Sequence, residues 1–337
     1  TVPLMSIFAA QAQNPHWQWY VERLGGPLST DGYIGFIRGQ LPKVQPKAPD
    51  DLRASRLFAG TGQAYLTSQI KDATQSVQVV LKASPFGTQS HGYESNNSFL
   101  LWAYGKRLLI YSGCRDIYGS EHHTNWMWTT RSTNCITING KGQKKHTVQA
   151  QGKITAFLTT PQIDAAIGDA GESYEPPVEQ FKRAILFIKP DLIVIYDRLK
   201  TSEPSTYEYW LHAINKFDVR DPQNIVTQNG DVSCDITFLT PQNLTFTQTN
   251  EYDPNPRPRI TLREWHLTAK TSGKQEHMEF VTLYRPHRAK DKTPCEATLQ
   301  PASSGYVLKT TSPDASVIAL LPTSDDALLE AEGLTAQ

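Results

Sequence analysis

The sequence predicts a mainly β protein, a large antiparallel β-sandwich preceded by a short N-terminal helical segment. Three observations lead there. From Leu57 onward, short runs rich in β-branched and aromatic residues follow one another between turn residues, LFAGTGQAYLT, SVQVVLKAS, SFLLWAY and RLLIYSG among them. ILFI and LIVIY flank Lys189-Pro190-Asp191 as two strands flank a hairpin turn, and their near-continuous apolarity suits strands sandwiched between two layers. Helical spacing of apolar residues is confined to residues 1–24, where Ile7, Ala10, Trp17, Tyr20, Val21 and Leu24 recur before the stop at Gly25-Gly26-Pro27.

Asn14-Pro15 divides the helical segment, with Pro15 opening a second helix. One or two helices cannot bury their own apolar face, so residues 1–26 are expected to be the end of a larger helical region. Residues 27–56, which include GQLPKVQPKAPDD, are expected to form an extended linker. Residues 57–215 read as a central β-sandwich domain and 216–337 as a C-terminal β region with shorter strands. The closing DDALLEAEGLTAQ suggests a short helix or a frayed tail.

Composition bounds the function. The chain has 337 residues, 39% of them hydrophobic, enough to bury a core. Its 33 basic and 33 acidic residues cancel, so no global field draws it to nucleic acid. No run approaches the roughly 18 apolar residues of a membrane span. MSIFAAQAQ is short and not basic in front, unlike a signal peptide, and the chain reads as cut from a longer one. Cys114, Cys135, Cys234 and Cys295 contain no C-x-x-C pair and are read as buried free thiols, with one or two disulfides the alternative.

Chemistry concentrates between Ser84 and Gly140, which hold three of the nine histidines and three of the seven tryptophans. Within it, SPFGTQSHGYESNNSFLLWAYGKRLLIYSG followed by RSTNCITING resembles the β-sandwich part of heparinase II/III-like polysaccharide lyases. KRAILFIKPDLIVIYDRLKTSEPSTYEYWLHA is similar to a second stretch of that family. NPHWQWYVERLGG resembles the last helix of the α/α toroid that precedes the sandwich there.

The resemblance implies β-elimination of an acidic, uronate-containing polysaccharide, such as a glycosaminoglycan or alginate, by a periplasmic or secreted enzyme. An upstream α/α toroid would supply a tyrosine and a histidine. A lyase must neutralise the uronate carboxylate, remove the weakly acidic C5 proton and protonate the departing oxygen. By position the family's sandwich histidine is His91, which would polarise the carboxylate or act as the base; a surface histidine in a turn is the plain alternative. Ser90, Tyr93, Glu94, Asn96 and Asn97 flank it as substrate contacts or supports.

Many members of the family bind zinc at positions that match Tyr93, Tyr111 and Thr133 here. Phenols and a threonine are poor zinc ligands, so no metal and no other cofactor is expected. Adjacent His122 and His123 would point to opposite faces of a strand, although a different site with Glu121 or His146 stays open. DIYGSEHHTNWMWTTR forms a second candidate surface. Tyr118, Trp126 and Trp128 could stack on sugar rings, while His122, His123, Asn125 and Arg131 could meet carboxylates or sulfates. Core packing is the alternative for either tryptophan.

KGQKKH (141–146) is a basic patch or a hairpin tip. Lys182-Arg183, Arg285, His287 and Arg288 read as solvated turns. Two further functions stay open, a non-catalytic carbohydrate-binding or structural module and a hydrolase with paired carboxylates. No acidic pair stands out beside the aromatic loops to favour the hydrolase.

Overall fold

The structure, a computed structural model, describes residues 2–25, 31–89, 92–113, 116–260, 263–291, 296–312, 315–331 and 333–336. The chain divides into two units, Thr1–Arg53 and Ala54–Gln337. In the first, α1 (Val2–Gln11) and α2 (Pro15–Gly25) part at Asn14-Pro15. The Asn14 Oδ1 accepts from the backbone N–H groups of His16 at 3.0 Å and Trp17 at 3.1 Å, capping the helix that Pro15 opens. The stretch expected to be wholly extended carries a third helix, α3 (Gly32–Gly39). There the apolar run Tyr33-Ile34-Gly35-Phe36-Ile37 outweighs its glycines, and the Pro-rich residues 42–48 carry neither helix nor strand.

In the second unit, two-residue alternation sets the layers. Five strands form an antiparallel sheet in chain order: β1 (Arg56–Phe58), β2 (Gln63–Thr67), β3 (Val77–Lys82), β4 (Ser98–Ala103) and β5 (Lys106–Leu109). Next come β6 (Ile136–Ile138), β7 (Lys153–Thr159), β8 (Ile163–Asp169), β9 (Val178–Ile188) and β10 (Leu192–Ser205). They are followed by β11 (Tyr207–Ala213), β12 (Asp218–Val219), β13 (Asn224–Asn229) and β14 (Val232–Thr240). Then β15 (Leu244–Thr249), β16 (Trp265–Thr271) and β17 (Gln275–Arg288) complete two sheets. One has eight strands in the order β12-β13-β14-β17-β10-β9-β8-β7, the other four in the order β15-β16-β11-β6. A three-stranded sheet, β18 (Ala297–Ala302), β19 (Gly305–Ser312) and β20 (Ala315–Pro322), follows. The tail is neither helical nor frayed but a hairpin of β21 (Leu329–Ala331) and β22 (Leu334–Ala336).

The eight-stranded sheet is the middle layer. On one face Phe181, Ile185, Phe187, Ile193, Ile195, Phe280 and Tyr284 pack with the inner residues of the five- and four-stranded sheets, such as Leu81, Phe99, Leu101, Tyr209 and Leu211. On the other face Ile188, Leu192, Val194, Tyr196 and Leu283 pack with Leu308 and Leu321 of the three-stranded sheet. ILFI and LIVIY read as continuously apolar because both of their faces are covered.

Two assignments to solvated turns are corrected. Arg285, His287 and Arg288 lie in β17, where His287 Nε2 stands 3.2 Å from Asp235 and Arg288 2.9 Å from Asp231. Lys182 and Arg183 lie in β9, and Arg183 is fully buried. Its Nε and Nη2 donate to Asp197 at 2.6 and 2.9 Å, while Nη1 donates to the carbonyls of Asn97 at 2.7 Å and Asn134 at 3.0 Å. Cys135 and Cys234 are buried free thiols; Cys114 and Cys295 lie outside the described residues.

Removing one partner of this buried pair strands the other charge, so Asp197→Asn or Arg183→Leu is expected to cost about 3–5 kcal/mol in urea denaturation. The double change Arg183→Leu with Asp197→Leu is expected to cost less than either alone. A single substitution costing under about 1 kcal/mol, the range of an exposed pair, would contradict this.

Candidate functional site

The connection from Ser84 to Asn97 is sewn to two neighbouring segments. Ser84 donates its N–H to Asn96 Oδ1 at 2.7 Å, and its carbonyl accepts from Gly152 at 2.8 Å. Gly87 has a φ of +71°, and an added Cβ would come 2.3 Å from the Thr147 carbonyl oxygen. This close approach explains the glycine of the Ser-Pro-Phe-Gly start. Thr88 donates to the carbonyl of Thr147 at 2.9 Å, and Glu94 to that of Trp128, also at 2.9 Å. Ser90 and His91 lie outside the described residues.

Asn96 is corrected from substrate contact to structural pin. It is 2% exposed, its side-chain amide donates to Ala150 O and Ser173 Oγ, and its main chain exchanges hydrogen bonds with the Gln143 side chain. Glu94 is also buried, with Thr130 N–H 3.4 Å from its Oε2. Burial pushes its carboxyl from 4.5 up to about 7, against the pull of the Thr130 bonds, Lys145 and Arg131.

The segment expected to be a strand after Ser120 is helical. A π-helical turn covers His123–Met127 and a 3₁₀ turn Thr130–Ser132. Alternation of faces therefore fails, and His122 and Trp126 both turn inward. His122 is 1% exposed, with Nδ1 2.8 Å from the Pro254 carbonyl and its ring against Tyr252. Trp126 packs edge-on to Tyr252 and donates Nε1–H to Ser112 Oγ at 3.3 Å. These two are corrected from surface contacts to core. Arg131 lies over Trp126, 5.6 Å from the ring centroid, and bonds Asn125 O and Asp253. Asn125 donates to Glu121 at 2.5 Å.

The same segment builds a ledge of rings in which Tyr118 and His146 are exposed, while His123, 7% exposed, and Trp128, 8% exposed, are buried and so are corrected from surface contacts to packed positions. Tyr118, 63% exposed, lies 4.9 Å from His123 and 5.7 Å from Trp128 between centroids. His123 lies 4.3 Å from Trp128, and Trp128 lies 4.1 Å from His146. The Gly119 N–H donates to His123 Nδ1 at 3.1 Å, so a neutral His123 carries its proton on Nε2. Burial and Lys145 hold the His146 pKa below the ordinary histidine range.

Against Trp126 lies a histidine pair that the sequence did not single out. His212 on β11 and His266 on β16 face each other across the register, with their Nδ1 atoms 3.0 Å apart, and Ser112 Oγ stands 3.3 Å from His266 Nδ1. One proton between two nitrogens suits two neutral rings, and burial pushes His266 down to about 4 and His212 down as well. Nearby, burial raises the pKa of Glu264, which accepts from Gly113 N–H at 2.9 Å. Among the described residues no group of three His, Cys, Asp or Glu could hold a metal ion. Tyr93 and Tyr111 pack with tilted rings, their centroids 5.0 Å apart, and share a cavity with Thr133.

A family model described as heparinase II/III-like, C-terminal, matches residues 50–294. No curated protein matches the chain. The solved heparan sulfate lyase HepC from Pedobacter heparinus is similar with a TM-score of 0.73 and 16% identity, over 97% of this chain and 48% of that one. A heparinase III with methylated lysines gives 0.70 and 14%, over 95% and 47%. Another heparinase III structure gives 0.64 and 14%, over 93% and 48%. At these identities the likeness is one of fold, and the chain spans about half the length of each structure.

The raised Glu94 pKa has a signed consequence. The fold prefers the neutral acid, so its contribution is complete below the unfolded value of 4.5 and is lost as pH rises through about 7. Glu94→Gln should therefore gain about 3 kcal/mol on the wild type at pH 8 relative to pH 4, read by urea denaturation. His266 acts with the opposite sign, its contribution lost as pH falls from 6.5 toward 4. Comparing variant with wild type at each pH isolates Glu94, and a pH-independent difference would refute its buried-acid role.

Proposed function

The chain belongs to the heparinase II/III-like family, and from that premise we propose that it is the C-terminal β part of a polysaccharide lyase acting on a uronate-containing polymer. The observation that carries the reading is the anchored Ser84–Asn97 connection beside a ledge of aromatic and imidazole rings. A polymer of sugar rings fits such a surface, because ring faces stack on Tyr118 while hydroxyl and carboxylate oxygens meet the exposed imidazole of His146.

In the elimination a base takes the C5 proton, the C4–oxygen bond breaks, the C4–C5 double bond forms and an acid returns a proton to the leaving oxygen. His91 would neutralise the carboxylate or take the C5 proton. Tyr118 would hold the neighbouring sugar, with Asn125 and Arg131 at the rim and Tyr93 and Glu94 supporting the connection from behind. One histidine cannot supply neutraliser, base and acid, so the reading requires further groups from an α/α toroid. The exposure of Phe8, Leu24, Tyr33 and Phe36 on the three helices supports a role as part of a larger helical layer. Because the substrate is an extracellular polymer, the reading also places the work outside the cytoplasm.

Assembled with a toroid, the chain is expected to release unsaturated, ultraviolet-absorbing oligosaccharides from a uronate polymer, and residues 1–337 alone to be nearly inactive. In the assembly, His91→Ala should lower the rate constant about 100-fold or more at an unchanged melting temperature. Tyr118→Ala should instead raise the substrate concentration needed, since stacking is made equally in ground and transition states. Polymer binding without any unsaturated product would favour the non-catalytic module, and a fully active His91→Ala enzyme would remove His91 from the chemistry.

A further inference from the structure

The outer face of the five-stranded sheet carries a cavity of about 240 Å³. Alternation decides its floor. Val77, Val79 and Leu81 of β3 face the core, which turns Val80 and Lys82 the other way. Their cross-strand partners Tyr65 and Leu100, Gln63 and Ser98 share that outward face. Trp102, 42% exposed, stands at the rim, and Tyr93 and Tyr111 close the opposite side.

Lys82 is the unusual member. Its Nζ donates to Ser95 Oγ at 2.7 Å, and it makes no ion pair among the described residues. Burial holds its pKa below the ordinary lysine value, with no carboxylate opposing the shift. A half-buried ammonium without a counter-charge is costly, and an anion entering the cavity would supply the missing partner. The space is smaller than the roughly 300–1,000 Å³ of pockets that take drug-sized ligands, so it suits one ring rather than several. The Ser95 hydroxyl already donates to the Tyr93 carbonyl at 3.1 Å, so the ammonium is the donor left for an anion, and one ammonium matches a monoanion whereas a phosphate dianion needs more donors.

We propose that this cavity binds one carboxylate-bearing sugar ring, with the carboxylate on Lys82 and the ring face against the tyrosine and tryptophan walls. That the ring is a uronate rests on the polysaccharide reading above; the demand for a ring and a carboxylate rests on the cavity. Tyr93, Tyr111 and Thr133, the three residues at the positions where the resemblance implies zinc in other members, all line it. In this chain the cation there is a lysine.

The test is a ligand-observed NMR titration of residues 1–337 with glucuronate, with methyl glucoside as the ring without the charge, and with acetate as the charge without the ring. Glucuronate should bind about tenfold or more tighter than either. Lys82→Met should erase its advantage over methyl glucoside, and Lys82→Arg should keep most of it, with the melting temperature checking each fold. Should Lys82→Met fail to fold, Trp102→Ala serves instead, weakening both sugars while leaving acetate unchanged. Equal binding of glucuronate and methyl glucoside, equal binding of glucuronate and acetate, or a Lys82→Met protein that retains the preference would each overturn the proposal. No turnover enters the measurement, so a failed lyase assay leaves it intact and a failed titration leaves the lyase reading intact.

Discussion

The buried contact between Arg183 and Asp197 fixes the relation between the layers. The two residues are cross-strand neighbours on β9 and β10, in the middle of the eight-stranded sheet and on the face that meets the other two. Asp197 takes two of the guanidinium donors, and the carbonyls of Asn97 and Asn134 take the rest of its reach into the facing layer. Phe99, Phe181 and Tyr209 surround the cation at 5.2–5.5 Å. A lysine could not do this, because only the planar fork meets a carboxylate and two separate carbonyls from one position.

Both carbonyls it holds close segments that bear the site. Asn97 ends the Ser84–Asn97 connection in a left-handed conformation, φ 57°, and its side chain donates to Gly168 and Phe181. Asn134 ends the 121–133 segment; its amide donates to Phe99 O and Ile110 O, and its Oδ1 accepts from His212 N–H. The ledge and the anchored loop are thus positioned from inside, through one guanidinium and two asparagines. Loops on a rigid scaffold are where function is expected, and here the rigidity has named atoms.

The alternating and doubly covered strands were legible in the sequence because a period of two and a run of β-branched residues are local signals. Arg183 was not, since a charge between apolar runs reads as a turn unless its partner is known. The parity was present nonetheless: Arg183 stands two residues from Phe181 and two from Ile185, both facing the core. The His-His-Thr-Asn-Trp-Met-Trp run failed for the opposite reason. Five residues of π-helix leave no period to read, and what turns Trp126 inward is Tyr252, more than a hundred residues away. Trp128 against His146 and His212 against His266 are likewise pairings that only the folded chain creates.

The five-stranded sheet uses the same alternation twice. One face of β3 supplies Val77, Val79 and Leu81 to the core, while Val80 and Lys82 on the other line the cavity. A slip of one residue in its pairing would bury the ammonium of Lys82 in the core and expose Leu81, so register is strongly specified. That coupling makes the cavity as reproducible as the core beneath it. It also explains how a lysine can stand half-buried without a carboxylate: the apolar residues on the opposite face hold the strand in place, and the cost of the unpaired charge stays confined to the outer surface, where a ligand can offset it.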